Sequence, residues 1–247
     1  MTAAGRPPRL AVAGLTKAFG GLRAVANCSF EVQPATVVGL IGPNGSGKST
    51  VFNLVTKLLK PDAGTVCFDG ERIDGLTTHQ IARRGIGRTF QGVKIFRDLT
   101  LWDNLSIAAM GCDRLGWESR AREWLGRLRL SHLAEDPAET LSVGQQRLLE
   151  LAMNLVVDPP FLMLDEPLAG VHPVVRRQIG DTVRGLRAEG RTFLLIEHDM
   201  AFVMELCDKL VVMDHGEKIA EGPPAAIRRD ERVIRALLGQ RHAGNLV

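Results

Sequence analysis

Three short segments of this chain combine residue types that handle polyphosphate chemistry. GPNGSGKST runs from Gly42 to Thr50, LSVGQ from Leu141 to Gln145, and FLMLDEP from Phe161 to Pro167. A triphosphate carries several negative charges, so its receptor needs many fixed N–H donors close together. Gly45 and Gly47 let backbone approach without a Cβ in the way. With Gly42, Pro43, Asn44 and Ser46 they form a loop that opens a helix, whose positive end favours an anion. Lys48 then reaches the β and γ phosphates as a point charge, the Ser49 hydroxyl ligates Mg²⁺, and Thr50 reaches the α phosphate. In the third segment four apolar residues bury a strand and two acids stand at its end. Asp165 there is placed to hold Mg²⁺, and Glu166 to take a proton from a water in line with the γ phosphate. LSVGQ offers the Ser142 hydroxyl, close backbone approach at Gly144 and the start of a further helix. By itself that segment reads as an ordinary N-cap followed by a glycine.

These residues need strands that end in loops and helices that begin there. Short apolar runs rich in β-branched residues predict strands near Arg9 to Leu15, Cys28 to Val32, Val37 to Ile41 and Thr65 to Asp69. Val37 to Ile41 opens directly into the glycine-rich loop, and Ser49 to Lys60 has helical character until Pro61 stops it. From Leu101 to Val157 the pattern is helical, over Leu101 to Met110, Glu118 to Leu130 and Val143 to Val157. Strand and helix then alternate: Phe161 to Leu164, Val174 to Ala188, Thr192 to Ile196 and Met200 to Leu206. A hairpin about Asp214 to Gly216 and two short helices, near Pro224 to Arg229 and Arg232 to Leu238, follow.

At 247 residues the chain is long enough for one large α/β domain. Its net charge of +3 is mild and its arginine pairs are scattered along the chain, which is no nucleic-acid stripe. Cys28, Cys67, Cys112 and Cys207 lie too far apart for a CxxC site and sit among apolar neighbours, the pattern of reduced thiols in a cytosolic protein. No export signal is read near Ala11 to Ala13, and no apolar run reaches membrane-spanning length. If the protein works at a membrane, another polypeptide anchors it.

The three segments, in this order, resemble the ATPase subunits of ABC transporters, for which LSxGQ is the distinguishing signature. The resemblance covers nearly the whole chain. It implies an α/β phosphate-loop fold: a RecA-like core with an N-terminal antiparallel β part (about residues 1–90 and 158–247) and an inserted helical subdomain (about 91–157). The cofactors it implies are ATP and Mg²⁺. It assigns Phe19 to adenine stacking, Gln91 in GRTFQ to sensing Mg²⁺ and the attacking water, and His198 in LLIEHD to the γ phosphate. Ser142, Gly144 and Gln145 would cap the nucleotide held by a second ATPase subunit. Ile95 and Phe96 would pack against a permease helix.

Finer segments, ARRGIGRTFQ, VKIFRDLTLWDNL and EGPPAAIRRDERVIRALLG, are similar to the branch that drives import of branched-chain amino acids, which also includes urea and other amide or amino acid systems. That branch implies a different but related ATPase partner, a heterodimer being favoured over a homodimer. It further implies two permeases, an extracytoplasmic binding protein and a peripheral place on the cytoplasmic face of the membrane. Two positions depart from the family pattern: His172 where Asp or Asn is usual, and Val143 where Tyr or Gly is usual. Rival readings are a DNA-repair or chromosome ATPase, which would need long coiled coils between its motifs, and a non-hydrolysing nucleotide-binding scaffold, which the intact Glu166 argues against.

Overall fold

Apolar residues in this chain are arranged to cover one parallel sheet on both faces, and the computed structural model, which describes residues 7–110 and 116–243, has that form. In chain order the elements are β1 (Leu10–Phe19), β2 (Leu22–Val32), β3 (Val37–Ile41), α1 (Lys48–Val55), β4 (Ala63–Phe68), β5 (Glu71–Arg72), α2 (Thr78–Arg83) and β6 (Ile86–Arg88). The helices α3 (Leu101–Met110), α4 (Trp117–Arg127) and α5 (Val143–Val156) come next. The chain closes through β7 (Phe161–Asp165), α6 (Pro173–Ala188), β8 (Thr192–Ile196), α7 (Met200–Leu206), β9 (Lys209–Asp214), β10 (Glu217–Gly222), α8 (Pro224–Ile227) and α9 (Glu231–Ala243).

The larger sheet has the order β10-β9-β3-β8-β7-β6, parallel except for the β9–β10 hairpin. Every residue of β3, β7 and β8 is buried, as strands covered on both faces must be. Their alternation divides two cores. Phe161, Met163, Val38 and Leu40 face a core shared with α1 and the smaller antiparallel sheet, ordered β2-β1-β4-β5. Leu162, Leu164, Val37 and Ile41 face the other, built with α5, α6 and α7. Helix α3 joins that second core through Leu101, Leu105 and Ala109, spaced four apart on one stripe.

The predicted strands and helices are present, with different ends. The first helix stops at Val55, well before Pro61, because the Thr56 hydroxyl donates to the Phe52 carbonyl and Lys57 turns to a positive φ of 59°. Strand β2 begins at Leu22 instead of Cys28, paired with Phe19 across a Gly-Gly turn. Three elements were not anticipated, among them the two-residue strand β5. Helix α2 is announced by a Thr77/Gln80 capping box, and β6 is a three-residue strand whose Gly87 lies under Pro159. Cys112 lies outside the described residues. Among the described residues no helix is long and apolar enough to cross a membrane.

Candidate functional site

The loop after β3 is shaped by glycines that no other residue could replace without displacing backbone. A Cβ on Gly42 would lie 2.1 Å from the Met213 carbonyl oxygen, and one on Gly47, at φ 101°, would lie 2.3 Å from the Ala24 carbonyl oxygen. Gly45 also has a positive φ, of 78°, but nothing stands within 4 Å of its Cβ position, so its surface is open. Gly47 is the N-cap of α1 and provides no side-chain cap. The first-turn amides of Lys48, Ser49 and Thr50 are therefore free to serve a ligand. Lys48 is buried, and its ammonium donates to the carbonyls of Gly42 (2.9 Å) and Pro43 (2.7 Å). Burial pulls its pKa down, against the raising influence of the Glu166 and Asp165 carboxylates. Ser46 is buried too, with its N–H on the Pro43 carbonyl and its own carbonyl accepting from Gly216. Asn44, Gly45, Ser49, Thr50, Gln91 and Glu166 line one cavity of about 430 Å³ beside Lys48.

Glu166 reaches that cavity from just past the end of β7, and Asp165, the last residue of the strand, lies buried behind it. Asp165 is 3% exposed, and its N–H donates to the Thr89 hydroxyl at 3.1 Å. Its Oδ2 accepts from the Arg88 guanidinium at 3.4 Å, while Oδ1 is buried with no hydrogen-bond partner. Burial raises the Asp165 pKa; Arg88 opposes the rise and Glu166 adds to it. A buried carboxylate oxygen without a donor is suited to a cation, and oxygen donors match Mg²⁺. No group of three or more His, Cys, Asp or Glu among the described residues could hold a metal by itself. Asp165 and the Ser49 hydroxyl could supply oxygen donors of the kind Mg²⁺ takes, with the remaining positions left to a ligand and water.

Glu166 turns out of the strand with φ 48°, a conformation costly for a residue with a side chain, and its N–H is held by the Ile196 carbonyl at 3.0 Å. Its Oε1 lies 2.8 Å from His198 Nε2, and its Oε2 accepts from the Gln91 side-chain amide at 3.3 Å. Gln91, Glu166 and His198 thus meet, beside Lys48, although they come from three different loops.

Phe19 and the three signature residues named from the sequence stand outside that cavity. Ser142, Gly144 and Gln145 open α5 and do not line the cavity with Lys48. Ser142 and Gln145 form a reciprocal capping box, with the Ser142 N–H on Gln145 Oε1 at 2.9 Å. Gly144 is needed for packing in this chain alone, since a Cβ there would meet Val175 at 2.9 Å. Phe19 ends β1, half exposed, with the Lys17 ammonium 5.6 Å from its ring centre. Its pairing partner Leu22 lines the cavity and Phe19 does not. Ile95 packs against the helical core, whereas Phe96 is 48% exposed. His172 caps α6, its Nδ1 accepting from the Val174 N–H at 3.3 Å.

Sequence reasoning missed the charges beneath the site. Arg88 is buried between the Phe52 and Phe90 rings and donates to Thr56 and Asp165. Arg147 and Glu150, one turn apart on α5, hold the loop that carries Gln91. Arg147 donates to the Phe90 carbonyl at 2.9 Å and to the Gln91 carbonyl, and Glu150 accepts from the N–H groups of Phe90 and Lys94. The available signal was a charged pair set among the leucines of the buried face of α5.

The family described as ABC transporter matches residues 25–169, and that described as branched-chain amino acid ATP-binding cassette transporter matches residues 217–243. The high-affinity branched-chain amino acid transport ATP-binding protein LivG of Escherichia coli K12 is 41% identical over 251 residues, covering 94% of this chain and 98% of LivG. BraF of Pseudomonas aeruginosa, with the same description, is 41% identical over 252 residues, with 94% and 98% covered. The lipopolysaccharide export system ATP-binding protein LptB of Escherichia coli K12 is 37% identical over 234 residues, with 94% and 97% covered. Among solved structures, the ADP conformation of an ATP-binding cassette of an ABC transporter superposes with a TM-score of 0.86 at 33% identity, covering 94% of this chain and 99% of that one.

Proposed function

The chain belongs to the family of ABC transporter ATP-binding subunits, which are ATPases, and from that premise we propose that it drives import of branched-chain amino acids. The observation that carries the choice of substrate class is the match of residues 217–243, the stretch of β10, α8 and α9, to the branched-chain amino acid family. Identity of 41% to LivG and BraF, against 37% to the export subunit LptB, points the same way.

In this reading the amides of Gly45 to Thr50 and the Lys48 ammonium grip the phosphates. Asp165, through its unpartnered Oδ1, and Ser49 would hold Mg²⁺, which supplies charge neutralisation at the phosphates when bound. Gln91 and His198 orient Glu166, whose carboxylate accepts the proton of the attacking water. Phe19 stacks on the adenine from the end of β1.

Hydrolysis in this reading belongs to a pair of cassettes. Ser142, Gly144 and Gln145 lie apart from Lys48 within one chain, so they would cap the triphosphate held by the other subunit. The apolar side chains of Val143 and Val174 are 54% and 63% exposed near that capping segment, which supports a contact surface there. We assign the second cassette to a related but different chain. The core would comprise about residues 1–90 and 158–247 and the helical subdomain about 91–157. Phe96, exposed at the entrance to α3, would meet one of two permeases, with an extracytoplasmic binding protein beyond them. The chain would then lie on the cytoplasmic face of the membrane.

The test is uptake by membrane vesicles containing this chain with its permeases, the partner ATPase and the binding protein. ATP-dependent accumulation of labelled leucine that is lost with Lys48→Ala supports the proposal. Accumulation of urea but not leucine, or outward movement of a lipid, would overturn the substrate assignment.

A further inference from the structure

Glu197 follows β8 directly and is 5% exposed, yet no function described so far uses it. Its Oε1 accepts the N–H of Leu168 at 2.8 Å and its Oε2 accepts the N–H of His198 at 3.0 Å. Leu168 lies two residues beyond Glu166, in a turn closed by the Ala169 N–H on the Glu166 carbonyl at 3.1 Å. A single buried carboxylate is therefore shared between the loop that carries Glu166 and the loop that carries His198.

We propose that Glu197 is a positioning residue for ATP hydrolysis: by accepting from Leu168 and His198 together it sets the 2.8 Å approach of His198 to Glu166. The proposal rests on the hydrolytic roles given above to Glu166 and His198. The chemistry requires an acid here. Two oxygens that accept and never donate can serve N–H groups on both sides, whereas an amide would turn one NH₂ toward an N–H and push a loop away. Burial raises the Glu197 pKa, and the N–H groups of Leu168, His198 and Asp199 oppose that rise by favouring the carboxylate. A buried acid is unfavourable unless it is hydrogen-bonded in this way. A small displacement matters because the effect of a general base depends on the placement of the reacting groups to within about 1 Å.

The experiment measures ATP turnover against ATP concentration in the complete transporter complex for Glu197→Gln and Glu197→Asp. Glu166→Gln and His198→Ala serve as references, and ADP affinity is measured for every variant. Glu197→Gln is expected to lower kcat about 10- to 100-fold while KM for ATP and ADP affinity stay within about twofold of wild type. Glu197→Asp, which keeps both acceptors on a shorter arm, should fall between the two. Adding Glu197→Gln to His198→Ala should lower turnover no further, because Glu197 acts through His198. Wild-type kcat in Glu197→Gln, with both references impaired, would overturn the proposal. Loss of ADP binding in both Glu197 variants would overturn it as well, since the residue would then only hold the fold together. If neither reference variant lost turnover, the functional assignment itself would fall, and this proposal with it.

Discussion

Glu166 Oε1 and His198 Nε2 stand 2.8 Å apart across 32 positions of sequence. The closeness follows from register. β7 and β8 are neighbouring parallel strands with Asp165 opposite Ile196, so the residues that leave each strand emerge at one edge of the sheet. Open α/β sheets place ligands at that edge, and here the edge also carries the glycine-rich loop after β3, the other neighbour of β8.

His198→Ala removes the imidazole that contacts Glu166 and leaves the glycine-rich loop in place. We expect kcat for ATP to fall about 10²- to 10³-fold with little change in nucleotide affinity. Steady-state phosphate release checks this, and a rise in KM with unchanged kcat would contradict it.

Arg147 and Glu150 form a buried charge pair whose groups also hold the backbone of Phe90, Gln91 and Lys94. Breaking such a pair by removing one partner costs about 3–5 kcal/mol, more than replacing both with apolar residues. Arg147→Met should therefore lower the unfolding free energy by about that amount, and Arg147→Met with Glu150→Met should recover part of it. Denaturant unfolding measures both; a double variant no more stable than the single one would count against the pair as described.

Much of the core and of the site could be read from sequence because each signal was local. Val37 to Ile41, Phe161 to Leu164 and Thr192 to Ile196 are continuous apolar runs of strand length, and their ends carry Lys48, Glu166 and His198. The order of the strands was not legible, since pairing β3 with both β8 and β9 depends on contacts far apart in the chain. Nor was β6, three residues long with a central glycine. Arg88 and Glu150 were missed because a charged side chain reads as solvent-facing until its buried partners are known. The same blindness applies to Glu197, which in sequence is only an acid beside a histidine.

The cysteines test the packing independently of function. Burial pushes the Cys207 thiol up to about 12 and the Cys28 thiol up to about 11, while Cys67 is only partly buried. The thiolate is the reactive form, so raised pKa values slow alkylation at every pH below them. Iodoacetamide at pH 8 should modify Cys67 of the folded protein ahead of Cys28 and Cys207, as read by peptide mass spectrometry. Early modification of Cys207 would contradict the position of β3 over α7.

The proposed hydrolysis turns on the Glu166 carboxylate as the acceptor of the proton from water. Its most direct test is single-turnover phosphate release from ATP by the assembled complex, wild type against Glu166→Gln. Release is expected to slow about 10²-fold or more with ATP binding retained, because the amide keeps the shape of the side chain and loses its basicity. Release at the wild-type rate by Glu166→Gln would contradict it.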